Sequence, residues 1–382
     1  MAQTSGNSFN RDAIRNPTVP NRKRISSITM TFVIGTTQAS HHLAITQLSE
    51  AMSQPIQPVV PQSAKCQKLG FLHARYHGRM IPAFIDPKAA DALSQTWDTT
   101  EHDILICTHQ KVGTHLTKKF IVEILRTAGV LDTHHPAAGG DIGKGAVPWP
   151  EVTASQNGVD AFLDFLNRTK GQPRVFYTHA NIDELPVRNL HPKTKLVMTY
   201  RDPKGAAVSQ YHFYKKHPTL GVSPDLTMAQ FVNFFVDGDL YFGDYHQHVK
   251  SYFEASKFGV NPAQLCILRY EDLVEDKVNS VKRLSQFLLG HPLASPEQEA
   301  AVADSTEFNT MKNDILTNPG TFHFNANRFF RSGRTDDWKT QLTEELANCI
   351  DQKTEAQWGT LRAPLAPVHK TDKSQTQTKL AA

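Results

Sequence analysis

Four cysteines in 382 residues, Cys66, Cys107, Cys266 and Cys349, stand far apart, and no two form a C-x-x-C pair. This excludes a dense disulfide framework and the common zinc spacings, so all four read as reduced, structural thiols. Also missing is any apolar run near the roughly 18 to 20 residues that span a bilayer, and the start lacks the apolar core of a secretory signal. A reducing, soluble compartment, cytoplasmic by default, is the expectation. Neither sign of charge is in surplus: Lys plus Arg number 41 and Asp plus Glu 37, a formal net charge of +4. That balance creates no field favouring nucleic acid or a membrane surface, so any anion site has to be local. No internal repeat is visible. The hydrophobic share of 39% suffices for the core of one large α/β domain or two ordinary ones.

What is present divides the chain in three. Residues 1–65 are rich in Ser, Thr, Gln, Asn and Pro, end in Gln54-Pro55-Ile56-Gln57-Pro58-Val59-Val60-Pro61, and read as a disordered or linker-like extension. Met30 to Ile34 is a candidate short strand or helix within it. Arg15, Arg22, Lys23 and Arg24 lie where Asp12 is the only acid before Glu50. Organellar targeting is therefore the alternative to a plain polar extension. Globular texture is expected over 66–361, and 362–382 reverts to a polar tail.

Inside those limits short apolar runs alternate with amphipathic stretches, the pattern of an open, mostly parallel sheet with helical crossovers. Ile104 to Cys107, Val175 to Tyr177, Lys195 to Tyr200 and Leu265 to Tyr270 are the expected strands. Helices are expected over Thr117 to Thr127, where Phe120, Ile121, Ile124 and Leu125 share a face, over Lys204 to Lys215, and over Val278 to Leu289 before a stopping Gly290. In such folds sites lie beyond the carboxyl ends of the strands.

The first strand-to-helix loop, Thr108-His109-Gln110-Lys111-Val112-Gly113-Thr114-His115, joins a glycine, a lysine and a helix start, which together suit an anion. The lysine precedes the glycine by two, so this is no G-x-x-x-x-G-K-[ST] loop. Gly139-Gly140-Asp141-Ile142-Gly143-Lys144-Gly145 fails as one too, because 138 is Ala, Gly145 follows the lysine, and no buried strand precedes it. It reads as a surface loop. A small-molecule kinase, which needs that lysine and a magnesium-binding hydroxyl, is disfavoured.

After the third strand comes Arg201-Asp202-Pro203-Lys204-Gly205-Ala206-Ala207-Val208-Ser209-Gln210-Tyr211-His212-Phe213. Arg201 at the strand end and Ser209 about two helical turns on could grip one phosphate. This stretch resembles the R-[ND]-P-K-D-x-x-V-S-x-Y-H-F signature of the cytosolic-type sulfotransferases that use 3′-phosphoadenosine 5′-phosphosulfate, with Gly205 the clear departure. Against the family's Y-P-K-S-G-T-T-W, His109 to Leu116 keep Lys111, Gly113 and Thr114. Arg269-Tyr270-Glu271-Asp272-Leu273, Phe308-Asn309-Thr310-Met311-Lys312 and Phe329 to Lys339 resemble its Y-E-D, F-x-x-M-K and F-x-R-K-G-x-x-G-D-W-K elements, and Gly78 to Pro82 its G-x-x-x-P turn. The resemblance runs from about residue 75 to 350.

It implies a single P-loop-like α/β domain, a sulfuryl donor as cosubstrate, a small-molecule acceptor and no metal. His179 would be the base that takes the acceptor's proton, and Lys111 would neutralise the leaving group. Lys111, Val112, Gly113, Thr114 and His115 would cradle the 5′-phosphate; Arg201, Ser209, Arg331, Ser332 and Gly333 would hold the 3′-phosphate. Leu116, Tyr270 and Phe308 would border adenine, and Trp149, Phe176 and Phe213 the acceptor, although Phe176 is equally a core candidate. Three family residues are replaced: the stacking tryptophan by Leu116, a charged residue by Ser332, and the lysine of K-T-H-L-P by Tyr177. These losses make a non-catalytic nucleotide-binding relative the alternative. Asp202, Glu271, Asp272 and Asp336 read as caps and ion-pair partners, and His41-His42 and His134-His135 as solvated. The family dimer element K-x-x-x-T-V-x-x-x-E falls on Lys339 to Asn348 with Glu344 for Val and Asn348 for Glu, so oligomeric state is open.

Overall fold

Strand pairing shows most directly how the chain is organised. The computed structural model describes residues 71, 73–131, 147–217, 220, 222–317 and 330–361, all within one unit of the chain, Pro58–Ala382. The expected element near Met30, both histidine pairs, the Gly139 to Gly145 loop, Cys66, Phe329 and the two terminal stretches fall outside the described residues.

The first strands, β1 (His73–Tyr76) and β2 (Arg79–Pro82), form a hairpin whose turn residues His77 and Gly78 have φ of 48° and 77°. Two positive φ values in a two-residue turn match the right-handed twist of the strands it joins. After α1 (Pro87–Thr96) come β3 (Asp103–Thr108), α2 (Thr114–Thr127), α3 (Pro150–Asn157), α4 (Val159–Arg168), β4 (Arg174–Thr178), β5 (Lys195–Tyr200) and α5 (Pro203–Lys216). The chain continues through α6 (Met228–Asp237), α7 (Tyr245–Phe253), β6 (Leu265–Arg269), α8 (Tyr270–Glu275), α9 (Lys277–Leu289), α10 (Pro296–Ser305), α11 (Phe308–Thr317) and α12 (Glu344–Trp358).

Strands β4, β3, β5 and β6 lie side by side in that order, all parallel. Alternation along them sorts the core into two layers. Leu105, Cys107, Phe176, Leu196 and Met198 pack with apolar residues of α1 and α4 to α7. Ile104, Ile106, Val175, Val197 and Cys266 pack with α2, α9 and α10 on the other face. Buried on both sides, these strands lack polar alternation and read as continuous apolar runs.

From β3 the chain goes to one side of the sheet and from β5 to the other, so a crevice opens beyond their carboxyl ends, where ligands bind in doubly wound sheets. Two expected boundaries are corrected. Helix α2 starts at Thr114 rather than Thr117, because its first turn presents N–H groups rather than apolar side chains. Strand β6 stops at Arg269, and Tyr270 opens α8. Gly290 has the left-handed φ of 83° expected of a helix stop.

Candidate active site

The segments leaving all four parallel strands meet at one cavity of about 640 Å³, lined among others by Lys111, His179, Arg201 and Tyr270. Each is placed by local structure. Lys111 adopts φ of 63°, a left-handed conformation rare for a side chain of its size, and Gly113 follows at 107°. A Cβ on Gly113 would lie 2.6 Å from the Tyr270 ring, so glycine is required both by the turn and by the close approach of α8. The loop is clamped from α5: Gln210 Nε2 donates to the Gln110 carbonyl at 3.0 Å, and the Tyr214 hydroxyl to Gln110 Oε1 at 2.7 Å.

Three cations converge there. Burial pulls the Lys111 ammonium down to about 7, helped by the charges of Arg201 and Arg331. Its Nζ lies 4.8 Å from the centre of the Phe213 ring. The Arg201 guanidinium rests on the Tyr270 ring at 4.3 Å and donates to the Arg334 carbonyl at 3.0 Å, while its buried Nε has no partner among the described residues. The Gly205 departure now has a physical reason: a Cβ there would meet Arg201 Nε at 2.9 Å. Arg331 pairs with Asp337. A buried, unpartnered guanidinium nitrogen beside a desolvated ammonium is what a bound phosphate group relieves.

His179 follows β4. Its Nδ1–H donates to the Thr108 carbonyl at 2.6 Å, which leaves the lone pair on Nε2. Burial holds the imidazole down to about 4, and the neighbouring Lys118 charge adds to this, against the Thr108 bond that raises it. The ring is therefore neutral near pH 7 and able to accept a proton. Trp149, Tyr177 and Phe242 surround it at ring-centre distances of 4.8, 5.9 and 5.0 Å. Behind it the Thr178 hydroxyl donates to buried Glu151, whose carboxyl burial pushes up to about 7.

Of the residues expected from sequence, Lys111, Gly113, Thr114, His115, Leu116, Trp149, His179, Arg201, Ser209, Phe213, Tyr270, Phe308, Arg331, Ser332 and Gly333 all line this cavity. Two do not. Val112 is wholly buried in the core, so only its backbone could serve a phosphate. Phe176, the candidate acceptor wall, is corrected to a core residue: it is 1% exposed and packs edge-on against Trp97 at 5.0 Å. Strand alternation turns it to the sheet face away from Tyr177. Asp202 caps α5 and Glu271 accepts from the Asp202 and Arg269 nitrogens, which matches their structural reading.

Among the lining residues that went unassigned in the sequence are Phe330 and Lys118. Phe330 meets Phe308 at 5.6 Å and lines the same cavity as Leu116, the position where the motif's aromatic ring is replaced. Lys118 sits one turn into α2 with Nζ 4.0 Å from the Tyr177 ring centre. It shares one helical stripe with Thr114, Ile121 and Leu125, all buried in the structure, a setting that spacing alone does not mark for a lysine.

Converging cations, a neutral imidazole and a helix N-terminus at the carboxyl edge of a parallel sheet form a cavity whose chemistry suits a phosphate-bearing ligand. The model of the sulfotransferase domain matches residues 101–362, and the chain belongs to that family. It is 31% identical over 258 residues to sulfotransferase 1A1 of Rattus norvegicus, covering 65% of this chain and 82% of that protein. Sulfotransferase 1E1 of Homo sapiens is 30% identical over 277 residues, 68% and 87% of the two chains. The fold matches mouse sulfotransferase SULT7A1 complexed with PAP, with a TM-score of 0.60 at 24% identity over 75% of this chain and 94% of that one. Among the described residues no helix is long and apolar enough to cross a membrane.

Proposed function

We propose that this sulfotransferase moves a sulfuryl group from 3′-phosphoadenosine 5′-phosphosulfate to the hydroxyl, or amine, of a small acceptor, with His179 as general base. The observation that carries the reading is the tautomer of His179: its Nδ1–H is held by the Thr108 carbonyl in the same cavity as Lys111. The cradle fits the donor. The Gly113 loop and the start of α2 suit the 5′-phosphate, and Arg201, with its unpartnered Nε, Ser209 and Arg331 suit the 3′-phosphate. The PAP named for the mouse relative's complex is the donor without its sulfuryl group; the phosphosulfate of the intact donor would supply that group in activated form.

His179 Nε2 takes the proton as the acceptor oxygen bonds to sulfur. The bridging S–O bond breaks, and its electron pair stays on the departing phosphate oxygen, where Lys111 offsets the charge. Phe84, Trp149, Val152 and Phe213 line the acceptor end, which favours a flat apolar acceptor carrying one nucleophile.

The test combines binding with turnover. His179→Ala should lower transfer by about 10²- to 10⁴-fold while leaving affinity for 3′-phosphoadenosine 5′-phosphate intact. Arg201→Ala should weaken that nucleotide roughly ten- to a hundredfold relative to adenosine 5′-phosphate, the loss of one or two charge-assisted bonds. Wild-type turnover in His179→Ala would refute the base. Nucleotide binding without transfer to any phenol, alcohol or amine would favour the non-catalytic alternative.

A further inference from the structure

We propose that Lys118 is a second cation of the transfer site, holding the non-bridging oxygens of the sulfuryl group from helix α2 in place of the strand lysine that Tyr177 has replaced. This deepens the reading of the site as a sulfuryl-transfer centre and rests on it.

Lys118 is 4% exposed, on a helix face shared with buried Thr114, Ile121, Val122 and Leu125. Among the described residues no carboxylate or hydrogen-bond acceptor meets its ammonium; the Tyr177 ring, 4.0 Å away, is its contact. The adjacent Lys119 behaves differently, pairing with Glu123 at 3.0 Å and Asp314 at 3.5 Å. A desolvated ammonium with only a ring face for company is costly, and the ring returns only part of that cost. Burial accordingly pulls Lys118 down to about 7. An anion in the cavity would reverse this.

The position names the anion. Lys118 is one turn along α2 from Thr114 and His115, which border the phosphate loop, and its charge is felt at both His115 and His179. On its other side the Tyr177 ring lies 5.9 Å from that of His179. The ammonium thus lines the same cavity as Lys111 and His179 and acts electrostatically on residues of both the phosphate loop and the base, within reach of a sulfuryl group bound there. During transfer the acceptor O–S bond forms and the bridging S–O bond breaks, with the proton on His179 and the electron pair on the departing phosphate. Negative charge remains on the three non-bridging oxygens throughout. Lys118 meets that charge without taking up the proton or the leaving group. In the resemblance the family's charge comes from the strand at position 177; here Tyr177 offers only a ring, and the charge comes from the helix beside it.

The experiment uses the full chain and two ligands that differ by the sulfuryl group. Lys118→Met should lower kcat by roughly ten- to a hundredfold, the loss expected for one charge-assisted contact. It should weaken the phosphosulfate donor and leave 3′-phosphoadenosine 5′-phosphate unaffected. Lys118→Arg should recover much of the turnover, and so should Tyr177→Lys added to Lys118→Met, which returns the charge from the strand. If Lys118→Met does not fold, Lys118→Gln, which keeps length and polarity, carries the same comparison. Wild-type kcat in the charge-removing variant, equal weakening of both nucleotides, or a defect confined to KM for an acidic acceptor would each overturn the proposal. Absence of transfer by the unmutated protein would instead mark failure of the parent reading.

Discussion

At the scale of single residues, the site holds an imidazole kept neutral, His179, and two lysines kept at the edge of neutrality. His179 is unprotonated above about pH 4 because burial disfavours its cation. Lys111 and Lys118 are each drawn down to about 7 by burial. The sign follows directly: in the free protein both ammoniums are lost as pH rises through about 7, and a bound anion raises both. Donor binding should therefore draw in protons and weaken as pH climbs above that point. Calorimetry in buffers of different ionisation enthalpy at pH 8 would detect the uptake, and zero uptake would contradict it. His115 also lines the cavity, but burial holds it well below its usual range, so it stays neutral throughout and contributes no competing titration.

At the scale of elements, the sheet edge next to the base is secured by a buried ion pair. Arg174 at the start of β4 donates to both carboxylate oxygens of Asp103 at the start of β3, its Nη2 at 2.7 Å, and its Nη1 reaches the Leu166 carbonyl at 3.0 Å. The pair locks the register that sets Thr178 level with Cys107, and so brings His179 to the Thr108 carbonyl. Removing one partner strands the other charge in the interior. Arg174→Met should cost about 3–5 kcal/mol in denaturant unfolding. The fraction that remains folded should keep near-normal KM for the donor, because the phosphate cradle hangs from β3 and β5; a change in stability below 1 kcal/mol, on the order of a surface pair, would refute the role. Strands buried on both faces were readable as such from their unbroken apolar runs. Their order was not, since pairing is set by crossovers that leave no local mark.

At the scale of the whole molecule, the family match covers residues 101–362, ending one residue beyond the stretch 66–361 read as globular. Removal of residues 1–60 and 365–382 should leave turnover unchanged, since their composition is too polar to build a core. Limited proteolysis should stop at a core of about 300 residues. A truncated protein that aggregates or loses turnover would show that these segments pack on the domain.

The sequence by itself marked the candidate anion site, because its groups are contiguous: Lys111, Gly113 and Thr114 on one loop, Arg201 and Ser209 on one strand-helix junction. Local spacing is enough to bring such groups to one anion. It could not rank Phe176 against Tyr177 as cavity wall, since neighbouring strand residues differ only in which sheet face they take, and that depends on the layers packed on either side. Nor could it assign Lys118. A lysine on a helix reads as solvent-facing until the fold buries it against a strand 59 positions away in sequence, as the register of Tyr177 beside Ile106 requires. Tertiary structure alone decided that pairing, because the energy of a buried charge depends on what surrounds it in space and not on its neighbours along the chain.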